Sequence, residues 1–139
     1  MTTDEIIWDC INPAIAQEPN KTKAELIYIM AEMTQKGFAK FYREGDSVFF
    51  VIRLTPYLAE VHIFSKEKGT KVIVNSKKFL NEFWETTEFK KLQAKVYLKK
   101  QYSYLKKVGL EQEGLLKKSF FLNNEMHDEY LFGVTKWVQ

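Results

Sequence analysis

The segment Ala59 to Trp84, AEVHIFSKEKGTKVIVNSKKFLNEFW, restricts the fold more than any other stretch, because its periodicity changes once, across a single glycine. Glu60, His62 and Phe64 alternate with Val61 and Ile63, the period of two of a strand with two different faces. Lys66, Lys68, Gly69, Thr70 and Lys71 follow at once. Beyond them Val72, Ile73, Ser76, Phe79, Leu80, Phe83 and Trp84 recur at steps of three and four, the helical period with one apolar face. A basic, glycine-bearing turn therefore opens a helix. The unpaired N–H groups and the positive dipole end found there suit a phosphate or another anion.

The remaining composition narrows the class. A chain of 139 residues, 45% hydrophobic and 28% charged, fits one folded domain over residues 1–139, neither disordered nor membrane-spanning. The 15% aromatic share predicts a core built with Phe, Tyr and Trp. A net charge of +3 would help an anionic ligand bind but falls short of a nucleic-acid footprint. The lysine pairs, such as Lys77-Lys78 and Lys106-Lys107, are scattered and carry no recognised nucleic-acid motif. Cys10 is the only cysteine, which excludes an internal disulfide and a cysteine-based metal site. The acidic start MTTDEIIWDC lacks the basic-then-apolar order of a signal peptide, so a cytoplasmic protein is expected.

In chain order, Thr3 is placed to cap a first helix through Ile6, Ile7 and Cys10, with Pro13 bending or ending it. Asn20 or Thr22 caps a second helix carrying Leu26, Ile27, Ile29, Met30 and Met33, and Gly37 stops it. Phe38 to Arg43 and Ser47 to Leu54 read as a hairpin across Glu44-Gly45-Asp46. Its second strand is nearly continuous in hydrophobicity at Phe49 to Ile52, as for a strand covered on both faces. Leu58 to Phe64 is a third strand and Leu92 to Tyr97 a fourth. Lys99 to Lys107 predicts a short helix with Tyr102, Leu105 and Lys106 inward and Gly109 as its cap. Glu113 to Leu122, the Asn123-Asn124 turn and Met126 to Lys136 close the chain as a hairpin. His127, Asp128 and Glu129 are consecutive on a strand, so their side chains alternate faces and do not converge on a metal.

Three stretches carry a family likeness through their order and spacing. Lys66-x-x-Gly69-x-Lys71 stands where the family has Arg or Gln, two residues, Gly, one residue, then Gly or Ala. Tyr104 to Lys117, YLKKVGLEQEGLLK, is similar to a helix, a Gly-aromatic turn and a Glu-Gly-aliphatic strand. Asp128 to Lys136 is similar to a last strand. Together these resemble the GCN5-related N-acetyltransferase (GNAT) superfamily, in particular small divergent members found among bacteriophage proteins.

The resemblance implies an α/β (α+β) fold, a mixed, mostly antiparallel sheet flanked by helices. It implies that the strand ending at Phe64 runs parallel to Leu92–Tyr97 and splays from it, so that free main-chain groups pair with the pantetheine arm of acetyl-CoA. On that reading Ile63, Phe64, Lys66, Lys68, Gly69, Thr70 and Lys71 bind the cofactor, no metal takes part, and the acetyl group passes directly to a small-molecule or protein amine. Glu60 is the implied general base, since an ammonium must lose a proton before attack. His62, on the same strand face, shares or replaces that role. Tyr104 is the implied general acid, with Tyr102 and Tyr130 as alternatives. The duller readings are a salt-bridged strand carboxylate and structural tyrosines, of which the chain has seven. Lys71 replaces a small residue, and Leu98 falls where the family has Asn. Those departures favour a second reading, a GNAT-fold scaffold without chemistry, such as a phage assembly or host-interaction protein with a homodimeric or other protein partner.

Overall fold

The structure, a computed structural model, describes residues 1–136. Two strand-rich segments flank the central strand–loop–helix unit and complete one six-stranded sheet in the order β1-β2-β3-β4-β6-β5. These are β1 (Ala39–Glu44), β2 (Ser47–Arg53), β3 (Leu58–Ser65), β4 (Lys91–Val96), β5 (Glu111–Leu122) and β6 (Glu125–Thr135). Only the β3–β4 pair is parallel. Helices α1 (Thr3–Cys10), α2 (Asn12–Ala16) and α3 (Lys23–Gln35) cover one face, and α4 (Thr70–Thr86) and α5 (Lys99–Val108) the other. This is the mixed, mostly antiparallel sheet flanked by helices that the sequence led us to expect.

Alternation along the strands divides the core in two. Val48, Phe50 and Phe64 point to the first face and pack with Ile6, Ile7, Ile11 and Met30. Phe49, Val51, Ala59, Val61, Leu92, Ala94 and Phe132 point to the second and meet Phe79, Phe83 and Leu105. Strand β2 is buried from Ser47 to Val51, which includes Phe49 to Val51 of the hydrophobic run, while Ile52 at its end is half-buried. Phe49 and Phe79 stack with centroids 4.3 Å apart and planes 2° from parallel, and Tyr42 meets Phe79 edge-on at 5.2 Å.

The helix boundaries correct three local expectations. Thr2, not Thr3, caps α1, its hydroxyl accepting from the Glu5 N–H at 3.1 Å. Pro13 opens the short helix α2 instead of merely ending α1, because its missing N–H costs nothing in a first turn. Lys106 is exposed, while Leu105 is the fully buried residue of α5. Thr22 does cap α3, and Glu25 reciprocates by accepting from the Thr22 N–H at 3.3 Å.

The last hairpin turns at Asn123 and Asn124, whose φ values of +52° and +62° are those of a two-residue turn with both residues left-handed. Strand β5 bulges between Leu116 and Phe120. Asp128 accepts from the Lys118 N–H at 2.8 Å and Glu129 from the Ser119 hydroxyl at 2.9 Å. Both carboxylates are thus occupied in holding the bulge. Among the described residues no cluster of His, Cys, Asp and Glu could hold a metal, and no helix is long and apolar enough to cross a membrane.

Candidate active site

The parallel pair is short. β3 and β4 are in register at Leu58–Lys91, Ala59–Leu92 and Glu60–Gln93, and no further. Beyond that last rung β3 runs on to Ser65 bonded to β2, and β4 runs on to Val96 bonded to β6. The sheet therefore opens into a V whose facing main-chain edges have no strand partner. On the α4–α5 side Val61, Ile63, Ser76, Leu80 and Tyr104 line the base of the V and leave about 20 Å³, little more than one water requires.

β3 delivers the chain to the loop Lys66–Gly69 at the open end of the V. Gly69 is the N-cap of α4 with φ +66° and ψ −134°, a conformation that L side chains rarely adopt, and no side chain caps the helix. The first turn holds no acidic residue. A Cβ built on Gly69 would meet nothing within 4 Å, so this helix end is open to a ligand. Lys68, Thr70 and Lys71 are exposed around it. Lys66 instead turns toward α1 and pairs with Asp9 at 3.5 Å.

Glu67, which the sequence reading passed over, fixes the loop. Its carboxylate accepts from the Asp46 N–H and from the Asn75 amide, both at 2.5 Å, tying the β1–β2 turn, the loop and α4 together. Its own N–H donates to the Ser65 hydroxyl at 3.1 Å, and Ser65 bonds Ser47 at 2.7 Å. No local pattern could identify the two distant partners of the Glu67 carboxylate.

Glu60 sits on the last paired rung, on the sheet face covered by α1 to α3. Its side chain is 12% exposed and is met by three groups: Gln93 Nε2 at 3.2 Å, His62 Nε2 at 3.5 Å and Lys95 Nζ at 3.6 Å. The hydrogen bond from His62 first, then the charges of His62 and Lys95 and the Gln93 amide, hold its carboxyl below the usual 4.5 against the opposing effect of burial. His62 and Glu60 thus lie together, as their spacing predicts. Gln93 and Lys95 were not singled out, because the β3–β4 register that brings them to Glu60 is a long-range property. Phe64 shares this face but is buried in the core, so only its main chain borders the V. Ile63 points to the opposite face. Above Glu60's face the Gln17 amide both donates to and accepts from the main chain of Phe121, tying the end of α2 to β5.

The lowered carboxyl has a sign. Glu60 contributes stability above pH 4.5, the unfolded value, and that contribution is lost as pH falls through the folded value. Urea unfolding of Glu60→Gln at pH 7 and pH 3 should therefore reveal a smaller acid destabilisation than in the wild type. Equal losses in the two proteins would refute the assignment.

Tyr104 lies on the other face. Its hydroxyl bonds the buried Ser76 hydroxyl, and burial, only partly offset by that bond, pushes the phenol up to about 12. Tyr102 and Tyr130 pack together with centroids 4.2 Å apart, next to Phe132. Leu98 precedes α5 without a polar side chain. Gln101 substitutes for it, accepting from the N–H groups of Tyr97 and Leu98 at 3.3 and 3.2 Å.

The splayed parallel pair, the glycine-capped helix at its mouth and the flanking helices define the GNAT fold. No protein-family model matches the chain, and no curated protein sequence does. Solved structures do. The spermidine N-acetyltransferase of Vibrio cholerae, in complex with CoA and spermine, superposes with a TM-score of 0.75 at 16% identity, over 97% of this chain and 92% of that one. A microcin C7 self-immunity acetyltransferase in complex with acetyl-CoA and AMP gives 0.68 at 14%, over 96% and 87%. A ribosomal L7/L12 α-N-protein acetyltransferase in complex with coenzyme A gives 0.71 at 15%, over 95% and 85%. At these identities the shared property is the fold.

Proposed function

We propose that the protein is an acetyl-CoA-dependent N-acetyltransferase acting directly on an amine. The observation that carries this reading is the V between β3 and β4 opening toward an uncapped helix N-terminus, where a glycine leaves room for an anion. The pyrophosphate would rest on the α4 N–H groups with Lys68 and Lys71 nearby, and the pantetheine arm would pair with the free edges of β3 and β4. Acetyl-CoA supplies an acyl thioester open to attack by an amine. Glu60, ionised at neutral pH, accepts the amine proton at its carboxylate, with Gln93, His62 and Lys95 orienting it. Tyr104, whose hydroxyl meets that of Ser76, is assigned as the proton donor to the departing thiolate. Much of the acceleration would come from holding amine and thioester together.

The acceptor is a small-molecule or protein amine bound on the α1–α3 side. The similar structures acetylate amines as unlike as spermidine and a ribosomal protein, so no one acceptor carries over. Calorimetric titration with acetyl-CoA should give saturable micromolar binding, about −8 kcal/mol. No heat at several temperatures and no rise in Tm would return the protein to the scaffold reading.

A further inference from the structure

Lys95 is a primary amine that the fold itself holds beside Glu60, the carboxylate assigned above to take the acceptor's proton. It lies two residues beyond Gln93 on β4, past the last paired rung, and its side chain folds back so that Nζ is 3.6 Å from Glu60 Oε1. Its side chain is 40% exposed, so an approaching group can reach it. From Ser65, at the loop, back to Glu60 is five residues of β3, about 16 Å at the ordinary strand rise. That is close to the reach of an extended pantetheine arm anchored by its phosphates at Gly69. The arm's acyl end would then arrive at the rung that Glu60, Gln93 and Lys95 surround.

We propose that Lys95 is a self-acetylation site, modified by acetyl-CoA bound in the same molecule. This rests on the acetyl-CoA reading given above. In the reaction the Lys95 ammonium gives one proton to the Glu60 carboxylate, and its nitrogen attacks the thioester carbon. An N–C bond forms and the C–S bond breaks. The second proton leaves the nitrogen as the tetrahedral adduct collapses, one proton ends on the CoA sulfur, one passes from Glu60 to solvent, and nothing is oxidised or reduced. The product is a neutral amide beside Glu60, which removes one of the charges holding that carboxyl down.

Other lysines on this face have different carboxylates. Lys91 pairs with Glu113 at 2.7 Å and Lys66 with Asp9 at 3.5 Å, and neither carboxylate borders the open V as Glu60 does. The exposed pair Lys77 and Lys78, on α4, provides an internal control for unassisted chemistry.

The test incubates the full chain with isotope-labelled acetyl-CoA and no added amine. Peptide mass spectrometry then follows acetyl occupancy at Lys95, Lys77 and Lys78, while calorimetry measures acetyl-CoA binding separately. The expected result is early labelling of Lys95 at least about tenfold above the controls, as effective-concentration arguments require. The rate constant should be independent of protein concentration, and labelling should fall to the control level in Glu60→Gln. Binding without selective Lys95 labelling overturns this inference and leaves the parent reading intact. Labelling that accelerates with protein concentration overturns the intramolecular route. Absence of binding overturns both.

Discussion

Phe49→Ala is expected to lower the unfolding free energy by about 3–5 kcal/mol, the range for emptying a buried aromatic site. Phe49 has no exposed surface and lies in β2, one strand in from the β1 edge of the sheet. It stacks flat on Phe79 of α4, and Phe79 in turn meets Tyr42 and Phe83. Removing it leaves a hole between the sheet and the helix whose N-terminus forms the mouth of the V. The hole adjoins the crevice beneath the splayed strands, so relaxation would draw α4 and β3 inward together. For a chain of this size the loss should lower Tm by more than about 10 °C. Phe121→Ala, at a side chain 41% exposed on β5, supplies the contrast and should change Tm by a few degrees at most. Equal effects of the two substitutions, measured by thermal and urea unfolding, would contradict the division of the core described above.

How far the sequence could be read follows from how local each feature is. The switch from period two to period three or four across Gly69 is visible in two dozen residues, and it yields β3, the loop and α4 in their correct order. The same alternation puts Glu60, His62 and Phe64 on one face, where the structure has them. Asn123-Asn124 identifies its own turn, since few other residue pairs accept two left-handed conformations.

What could not be read depends on contacts between distant elements. The three-rung register of β3 with β4 decides that Gln93 faces Glu60 and that Lys95 folds back onto it, yet nothing in either strand alone specifies where pairing stops. The resemblance places Lys66 among the cofactor-binding residues, but its ion partner in the structure could not be read from the basic run. That partner is Asp9, on a helix nearly 60 residues earlier whose placement only tertiary packing determines. Glu67 was hidden for the same reason, its two partners lying 21 and 8 residues away. Tyr104 is singled out by family likeness alone, whereas Ser76, the hydroxyl it meets in the structure, reads from the sequence only as a residue on the apolar face of α4.

Gly69→Ala should weaken acetyl-CoA binding at least about tenfold, more than about 1.4 kcal/mol, while leaving the protein folded. The argument rests on backbone geometry. A methyl group at this position would touch nothing within 4 Å, so steric overlap with the protein is not the cost. The cost is φ +66° with ψ −134°, which an alanine holds only with about 1–3 kcal/mol of strain. The loop can relieve that strain by rotating, but rotation re-aims the first N–H groups of α4, the groups proposed to meet the pyrophosphate. If it does not rotate, the methyl projects into the open space that the phosphates would fill. Either response reduces affinity. Gly37→Ala separates this effect from general destabilisation, because Gly37 also has a positive φ, +82°, and open space, but lies just after α3, away from the V. Both variants should lose a few degrees of Tm. Only Gly69→Ala should lose affinity in a calorimetric titration, and a comparable loss in Gly37→Ala, or none in Gly69→Ala, would remove the phosphates from the end of α4.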